Sequence, residues 1–286
     1  MDIFSSLKKL LNEKNILKFG AVPFSSCKTV RPYKLGEDIS RMKTVYIFAV
    51  PYLCRTGKKN ISAYAVAKDY HLFFKKIFDE ILPFLHNNCP EYKFYGFADS
   101  SPVSEVNAAA LAGIGIIGDN GLLITEEYSS FVFLGEIITD YPERHFTEQK
   151  IRRCPSCGKC KLACPVNEGR GACLSEVTQR KGELDASDKA FLLKYNTVWG
   201  CDICQTVCPY TAAAIKNGTI YSPIPFFNEN LTPFLTYGMI ENMPDDEFKE
   251  RAYSWRKKEV LLRNLKIYEE GNSNIHSERS QLSKSQ

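Results

Sequence analysis

The chain has 286 residues, 44% of them hydrophobic and 24% charged, ordinary proportions for a globular protein that can bury one large core or two modest ones. No apolar stretch reaches the roughly 18 to 20 residues needed to span a bilayer, which excludes a membrane-spanning helix. The formal net charge of +4 is too small for the overall field to hold a polyanion, so such a partner would need a local basic patch.

In chain order, residues 1–14 of the start MDIFSSLKKLLNEKN pattern as an amphipathic helix. No continuous apolar region follows its basic residues, so it is not a secretion signal, and a cytoplasmic location without membrane association is expected. Residues 18–24 and 43–51 (KTVYIFAVP) read as strands, and 44–54 and 108–118 as buried core. Residues 61–85 are helical by period, with Tyr64, His71, Phe74, Ile77 and Ile81 recurring three, four or seven apart. His71 is then a packed or capping residue. Residues 93–99 return as a strand, after which Ser101 and Pro102 read as N-cap and first-turn proline of a helix running through the alanines to Gly113. Residues 122–125 and 131–139 are expected to pair as a β-hairpin across 126–130. This alternation predicts an α/β fold over residues 1–145. From 152 to 210 the composition shifts to cysteine, glycine and lysine, which marks a metal domain at 146–212. Residues 213–268 carry helical patches and a basic cluster, and the polar, serine-rich residues 269–286 are expected to be disordered.

Eleven cysteines are present, eight of them in metal-ligand spacing. Without an export signal that spacing argues against a disulfide framework. Cys27, Cys54 and Cys89 are scattered and read as small buried hydrophobes. The run Cys154-x2-Cys157-x2-Cys160-x3-Cys164-Pro165 is of the bacterial ferredoxin kind, in which three thiolates hold one 4Fe-4S cubane and the fourth crosses to a second. Cys201-x2-Cys204-x3-Cys208-Pro209 forms the other half, and an isolated Cys173 completes eight. One cluster then takes Cys154, Cys157, Cys160 and Cys208, the other Cys164, Cys173, Cys201 and Cys204. Zinc sites also use paired CxxC, but they need only four ligands each and do not call for the x3-Cys-Pro ending. The two prolines are expected to turn the chain away from each cluster. Eight thiolates and two cores of about 2+ each bring the loaded chain close to neutral.

Gly113, Gly115 and Gly118 spell GxGxxG. The dinucleotide fingerprint needs a strand before and a helix after, and the order here is reversed, so a tight helix-to-strand turn or close approach to a bound group is expected instead. Asp99 ends a strand at the head of a helix. It reads either as a structural cap or, buried beside a cofactor, as a general acid held protonated, and position alone does not choose.

The segments AYAVAKDYH (63–71), FADSSPVSE (97–105), AGIGIIGDNGLLITEEYSSFVFLGEIITD (112–140), GCDICQTVCP (200–209) and SWRKKEVLLRN (254–264), with the eight cysteines, together resemble the epoxyqueuosine reductase family from about residue 30 to 268. The resemblance implies reduction of the epoxide of epoxyqueuosine to queuosine at the wobble position of transfer RNA. It also implies a cobalamin-binding α/β domain resembling that of reductive dehalogenases, followed by a double-cluster ferredoxin-like domain with two 4Fe-4S clusters and a short helical C-terminal segment. The family's proton donor falls on Asp99, and Asn120, Ser175 and Asp202 match positions near its cobalamin. The implied partners are transfer RNA and an electron donor such as flavodoxin or ferredoxin, with the chain a monomer.

Typical members are basic at positions matching Ala63, Val106, Leu111 and Asp119, and the usual lysine of the GKN turn is Asp119 here. Many members also continue into a C-terminal helical-repeat domain that helps grip transfer RNA, so a short form lacking it is expected. Between Lys249 and Lys266 stand seven basic residues against two acidic ones, either a remaining phosphate-binding patch or a solvated face. The alternatives are the same scaffold acting on a small-molecule substrate, and a ferredoxin-type electron carrier without catalysis.

Overall fold

The computed structural model describes residues 2–168 and 172–282. The chain divides into two compact units, each gathered from separated stretches: 1–53, 70–162 and 204–227 in the first, 54–69, 163–203 and 228–286 in the second. These units do not follow the composition boundaries at 145, 212 and 268. The cysteine-rich stretch is shared out, with Cys154, Cys157, Cys160, Cys204 and Cys208 in the first unit and Cys164, Cys173 and Cys201 in the second.

The first unit opens with α1 (Ile3–Asn12), whose buried face is Ile3, Leu7 and Leu11. The Asp2 carboxylate accepts the Ser5 N–H at 3.0 Å and so caps a helix start that would otherwise leave that donor unpaired. Then come β1 (Lys18–Pro23), β2 (Thr44–Pro51), α2 (Tyr70–Asn88), β3 (Phe94–Ala98), α3 (Glu105–Leu111), β4 (Ile116–Ile117), β5 (Leu123–Ile124) and β6 (Val132–Thr139). Strands and helices are interspersed, as expected of an α/β chain, although β1 and β2 follow one another directly, as do β4, β5 and β6. The main sheet, in the order β1-β2-β6-β3, is antiparallel throughout. Every residue of β2 is buried, as its unbroken apolar run requires of a strand covered on both faces. Alanines of α3 pack on one face with Val45, Ile47 and Ile138. On the other face Phe48 meets Phe74 of α2 with ring centroids 6.0 Å apart. Gly135 has room only for hydrogen there, since a Cβ would strike both rings.

Three expected elements differ. Helix α2 begins at Tyr70, not at 61, because residues 61–69 are claimed by other partners: Ile61 bridges to Trp199, the Ser62 N–H donates to the Trp199 carbonyl at 2.7 Å, and Lys68 bridges to Arg251. Ser101 and Pro102 do not start α3, which begins at Glu105 with Ser104 as N-cap. The Ser101 hydroxyl donates instead to the buried carboxyl of Glu136, which has no water to take its place. Finally, β5 pairs with β4 and not with β6; residues after Thr125 make only a bridge to Ser129 before β6 enters the sheet between β2 and β3.

The second unit is helical: α4 (Leu174–Gln179) and α5 (Ala186–Tyr195) share a small core of Leu174, Val177, Leu184, Phe191 and Leu192, and α6 (Lys258–Leu282) packs by Leu261 and Leu265 into a larger one with Val198, Trp199 and Tyr253. Asn264, fully buried on α6, donates to the carbonyls of Thr178 at 2.6 Å and Val198 at 2.9 Å, which satisfies groups the core would otherwise strand. Helix α6 continues to Leu282, through most of the segment expected to be disordered; residues 283–286 lie outside the described ones.

Candidate functional site

Within the first unit, Cys154, Cys157, Cys160 and Cys208 line one cavity, together with Asp119, Asn120, Ile124 and Tyr210. The loop that carries three of these thiols is shaped by two left-handed residues, Ser156 (φ 52°) and Gly158 (φ 77°). It is pinned to the glycine turn, for the Cys154 N–H donates to the Ile117 carbonyl at 3.0 Å and the Asp119 N–H donates to Cys154 Sγ at 3.3 Å. The Asp119 carboxylate accepts from Ser156 at 3.1 Å and pairs with Lys161 at 3.3 Å; these two, the lysine foremost, hold it below the usual carboxylate range. Cys208 arrives from the other side of the sequence as N-cap of the helix Pro209–Lys216, with Pro209 at its first turn. Pro209 thus opens a helix, and Pro165 likewise opens the short 3₁₀ turn Pro165–Glu168, so both prolines begin new structure where a simple turn away was expected. The segment before Cys208 is anchored by Gln205, whose side-chain oxygen accepts from Ser130 at 3.1 Å.

Among the described residues no three His, Cys, Asp or Glu side chains converge tightly enough for a single metal ion. Four thiols lining one cavity are the donor set that a four-iron, four-sulfur core takes.

The glycine turn has the expected inverted order, helix α3 before it and strands after. Gly113 takes φ +73°, a Cβ on Gly115 would strike the Ile124 carbonyl, and one on Gly118 would lie 2.5 Å from Asn120 Oδ1. The glycines are needed for the β4–β5 turn itself. Asn120 stands at its tip, accepting the Leu122 N–H at 3.3 Å.

Asp99, exposed at the end of β3, takes φ 68°. That left-handed backbone is costly for most residues but tolerated by aspartate and asparagine. Behind it lie two acids that sequence reasoning did not single out. Glu136, in the centre of β6, is fully buried, and burial pushes its carboxyl up to about 8, only partly opposed by the Ser101 hydroxyl. Glu105 rests against the Asp99 backbone N–H, and burial, followed by the charges of Glu136 and Asp99, pushes it up to about 9. The signal that could have found Glu136 is its place in VFLGEIIT, an acid at a core position of an apolar strand.

In the second unit Cys173 is the N-cap of α4, and Ser175 accepts from the Gln179 side chain at 2.9 Å. Cys201 follows Gly200, which has φ +70° and would place a Cβ 2.5 Å from that of Ser62. The buried Asp202 carboxylate takes three donors of its own unit: Lys59, the Ser62 hydroxyl and the Ala63 N–H at 2.8 Å. Much of the basic cluster is committed internally. Arg251 donates to the Asn230 carbonyl at 2.7 Å, Arg263 to that of Arg180 at 2.8 Å, Lys258 to that of Met243, and Arg256 stacks 3.8 Å from the Trp255 ring centre.

Comparison with curated proteins finds an epoxyqueuosine reductase of Listeria monocytogenes 36% identical over 209 residues, covering 70% of this chain and 54% of that protein. One from Lactococcus garvieae is 33% identical over 221 residues, 73% of this chain and 61% of its own. This chain is a homologue of the epoxyqueuosine reductases. It spans between half and two thirds of the length of these curated relatives. No family model matches it. Among solved structures, epoxyqueuosine reductase from Streptococcus thermophilus superposes with a TM-score of 0.76 at 24% identity, covering 94% of this chain and 81% of that one. An epoxyqueuosine reductase crystallised with an epoxyqueuosine-modified tRNA-Tyr stem loop gives 0.71, also at 24% identity, over 93% and 81%. The fold is thus that of the epoxyqueuosine reductases, and no helix among the described residues is long and apolar enough to cross a membrane.

Proposed function

We propose that this chain is an oxidoreductase of the epoxyqueuosine reductase type, which reduces epoxyqueuosine to queuosine in transfer RNA with cobalamin and two 4Fe-4S clusters. The observation that carries the proposal is the single cavity in which Cys154, Cys157, Cys160 and Cys208 meet the Asp119–Asn120 turn. These four thiolates would hold one cluster; by spacing, Cys164, Cys173, Cys201 and Cys204 would hold the other. Cobalamin would supply, when bound, a low-potential metal centre that no side chain can replace, and the two clusters would supply one-electron carriers beside it. By the resemblance, Asn120 and Ser175 are carried over as residues near the cobalamin. Asp202 serves it indirectly, by fixing the loop around residues 59–63. Asp99 gives the proton that the departing oxygen requires. The chain works as a monomer in the cytoplasm, with flavodoxin or ferredoxin as donor.

A second reading keeps the cofactors and changes the substrate to a small molecule. It is favoured by Asp119, an acid where the resemblance implies a lysine, and by the arginines whose guanidinium groups are turned to protein carbonyls. Transfer RNA from a strain lacking this protein separates the two, because accumulated epoxyqueuosine supports the first reading and unchanged queuosine the second. For the shared cofactor set the test is anaerobic purification with iron, sulfide and bound cobalamin measured, followed by a single turnover on epoxyqueuosine-containing transfer RNA. A colourless protein with about four irons or fewer would overturn both.

A further inference from the structure

Glu136 and Glu105 each keep a carboxyl oxygen out of solvent. A carboxyl at the centre of a four-stranded sheet loses its hydration, and a single hydrogen bond, from Ser101, does not replace it. Oε1 of Glu136 and Oε1 of Glu105 are both out of solvent without a hydrogen-bond partner. An isosteric apolar residue would be more stable at such a position, so packing does not account for these acids. Both lie directly behind Asp99: Glu105 touches its backbone N–H, and Ser101, the donor to Glu136, is itself linked back to the Asp99 carbonyl at 3.0 Å.

We propose that Glu105 and Glu136 form a proton store that reloads Asp99 between the two protonations of a single turnover. The inference rests on Asp99 as the proton donor of the proposed reaction. Removing an epoxide oxygen as water breaks two C–O bonds, forms a carbon–carbon double bond, and consumes two electrons and two protons. The electrons come from the external donor by way of the iron–sulfur centres; Asp99 can deliver one proton at a time. After the first has gone to the oxygen, the carboxyl proton of Glu105 moves to Asp99, and Glu136 or solvent refills Glu105. When substrate covers Asp99 and takes it out of water, the proton passes between two neighbouring carboxyls that are both shielded from solvent. The remaining charged or titratable groups near the pair are Arg31, whose charge opposes the rise at Glu105, and Cys27, whose thiol is pushed up to about 12 by burial and then by Glu136 and Glu148.

The test uses Glu105→Gln and Glu136→Gln, which keep shape and polarity but carry no acid proton, and thermal melts establish that each folds. Infrared difference spectroscopy of the full chain without cofactors should show protonated carboxyl bands at pH 7 that fade above about pH 9, one missing from each variant. With cofactors loaded, Glu105→Gln should reduce substrate about tenfold or more slowly, and increasingly so as pH rises, while Glu105→Asp recovers part of the rate. Absence of the carboxyl bands at pH 7, or a Glu105→Gln pH profile superimposable on wild type, would overturn the store. If the loaded wild-type chain reduces no epoxide, the proposed activity falls instead, and the infrared arm still decides whether these two carboxyls hold protons.

Discussion

The backbone N–H of Asp119 donates to Cys154 Sγ at 3.3 Å, tying the tip of the glycine turn to the first cysteine of the cluster loop. The same residue's carboxylate reaches forward to Ser156 and Lys161, so one aspartate clamps both sides of the loop. Hydrogen bonds and charge near cluster sulfurs set reduction potentials.

Asp119→Asn keeps the N–H and removes the charge. The cluster held by Cys154 should then be reduced at a more positive potential, with iron content unchanged, in a redox titration followed by electron paramagnetic resonance. An unshifted potential would show that Lys161 already cancels the carboxylate.

Cys208 is the one thiol of its cavity that comes from outside the 154–160 loop. Cys208→Ala should lower iron from about eight to about four per chain while the other cluster's signal remains. Iron and sulfide analysis of anaerobic protein decides this.

Asp99→Asn should lose about 10²- to 10⁴-fold in turnover, the range of a general acid. Its melting temperature should stay close to wild type, because asparagine accepts the φ of 68° that Asp99 adopts. Loss of stability in step with activity would point to a structural role.

Glu136 sets a pH dependence of stability. Its folded carboxyl is raised to about 8 from an ordinary value of 4.5, so the native state binds the extra proton. Its contribution is fully present below pH 4.5 and is lost as pH rises through about 8. Glu105, raised to about 9, adds a loss of the same sign. Melting temperatures measured from pH 5 to about pH 9 should fall for wild type and fall less for Glu136→Gln.

Asp202→Ala strands Lys59, the Ser62 hydroxyl and the Ala63 N–H inside the second unit. The expected loss is about 2–4 kcal/mol, discounted because Lys59 is one-third exposed, and is read by denaturant unfolding. Unaltered stability with weakened cobalamin binding would instead make Asp202 a direct contact.

By itself the amino-acid order determined the strands β1, β2 and β3 and the first helix, since an apolar run or a helical period leaves a short segment little choice. It also determined the number and spacing of the eight thiols, and the inverted order that removes GxGxxG from nucleotide binding. Only the tertiary structure decided where residues 61–69 go, why Ser101 serves Glu136 and not a helix end, and why β6 leaves β5 for the sheet centre. In each case a donor or acceptor far away in the chain offered a better partner than the local one. Glu136 could be suspected from its place in the apolar run VFLGEIIT, but its bond from Ser101 and the position of Glu105 behind Asp99 emerge only once β6 and helix α3 are brought together.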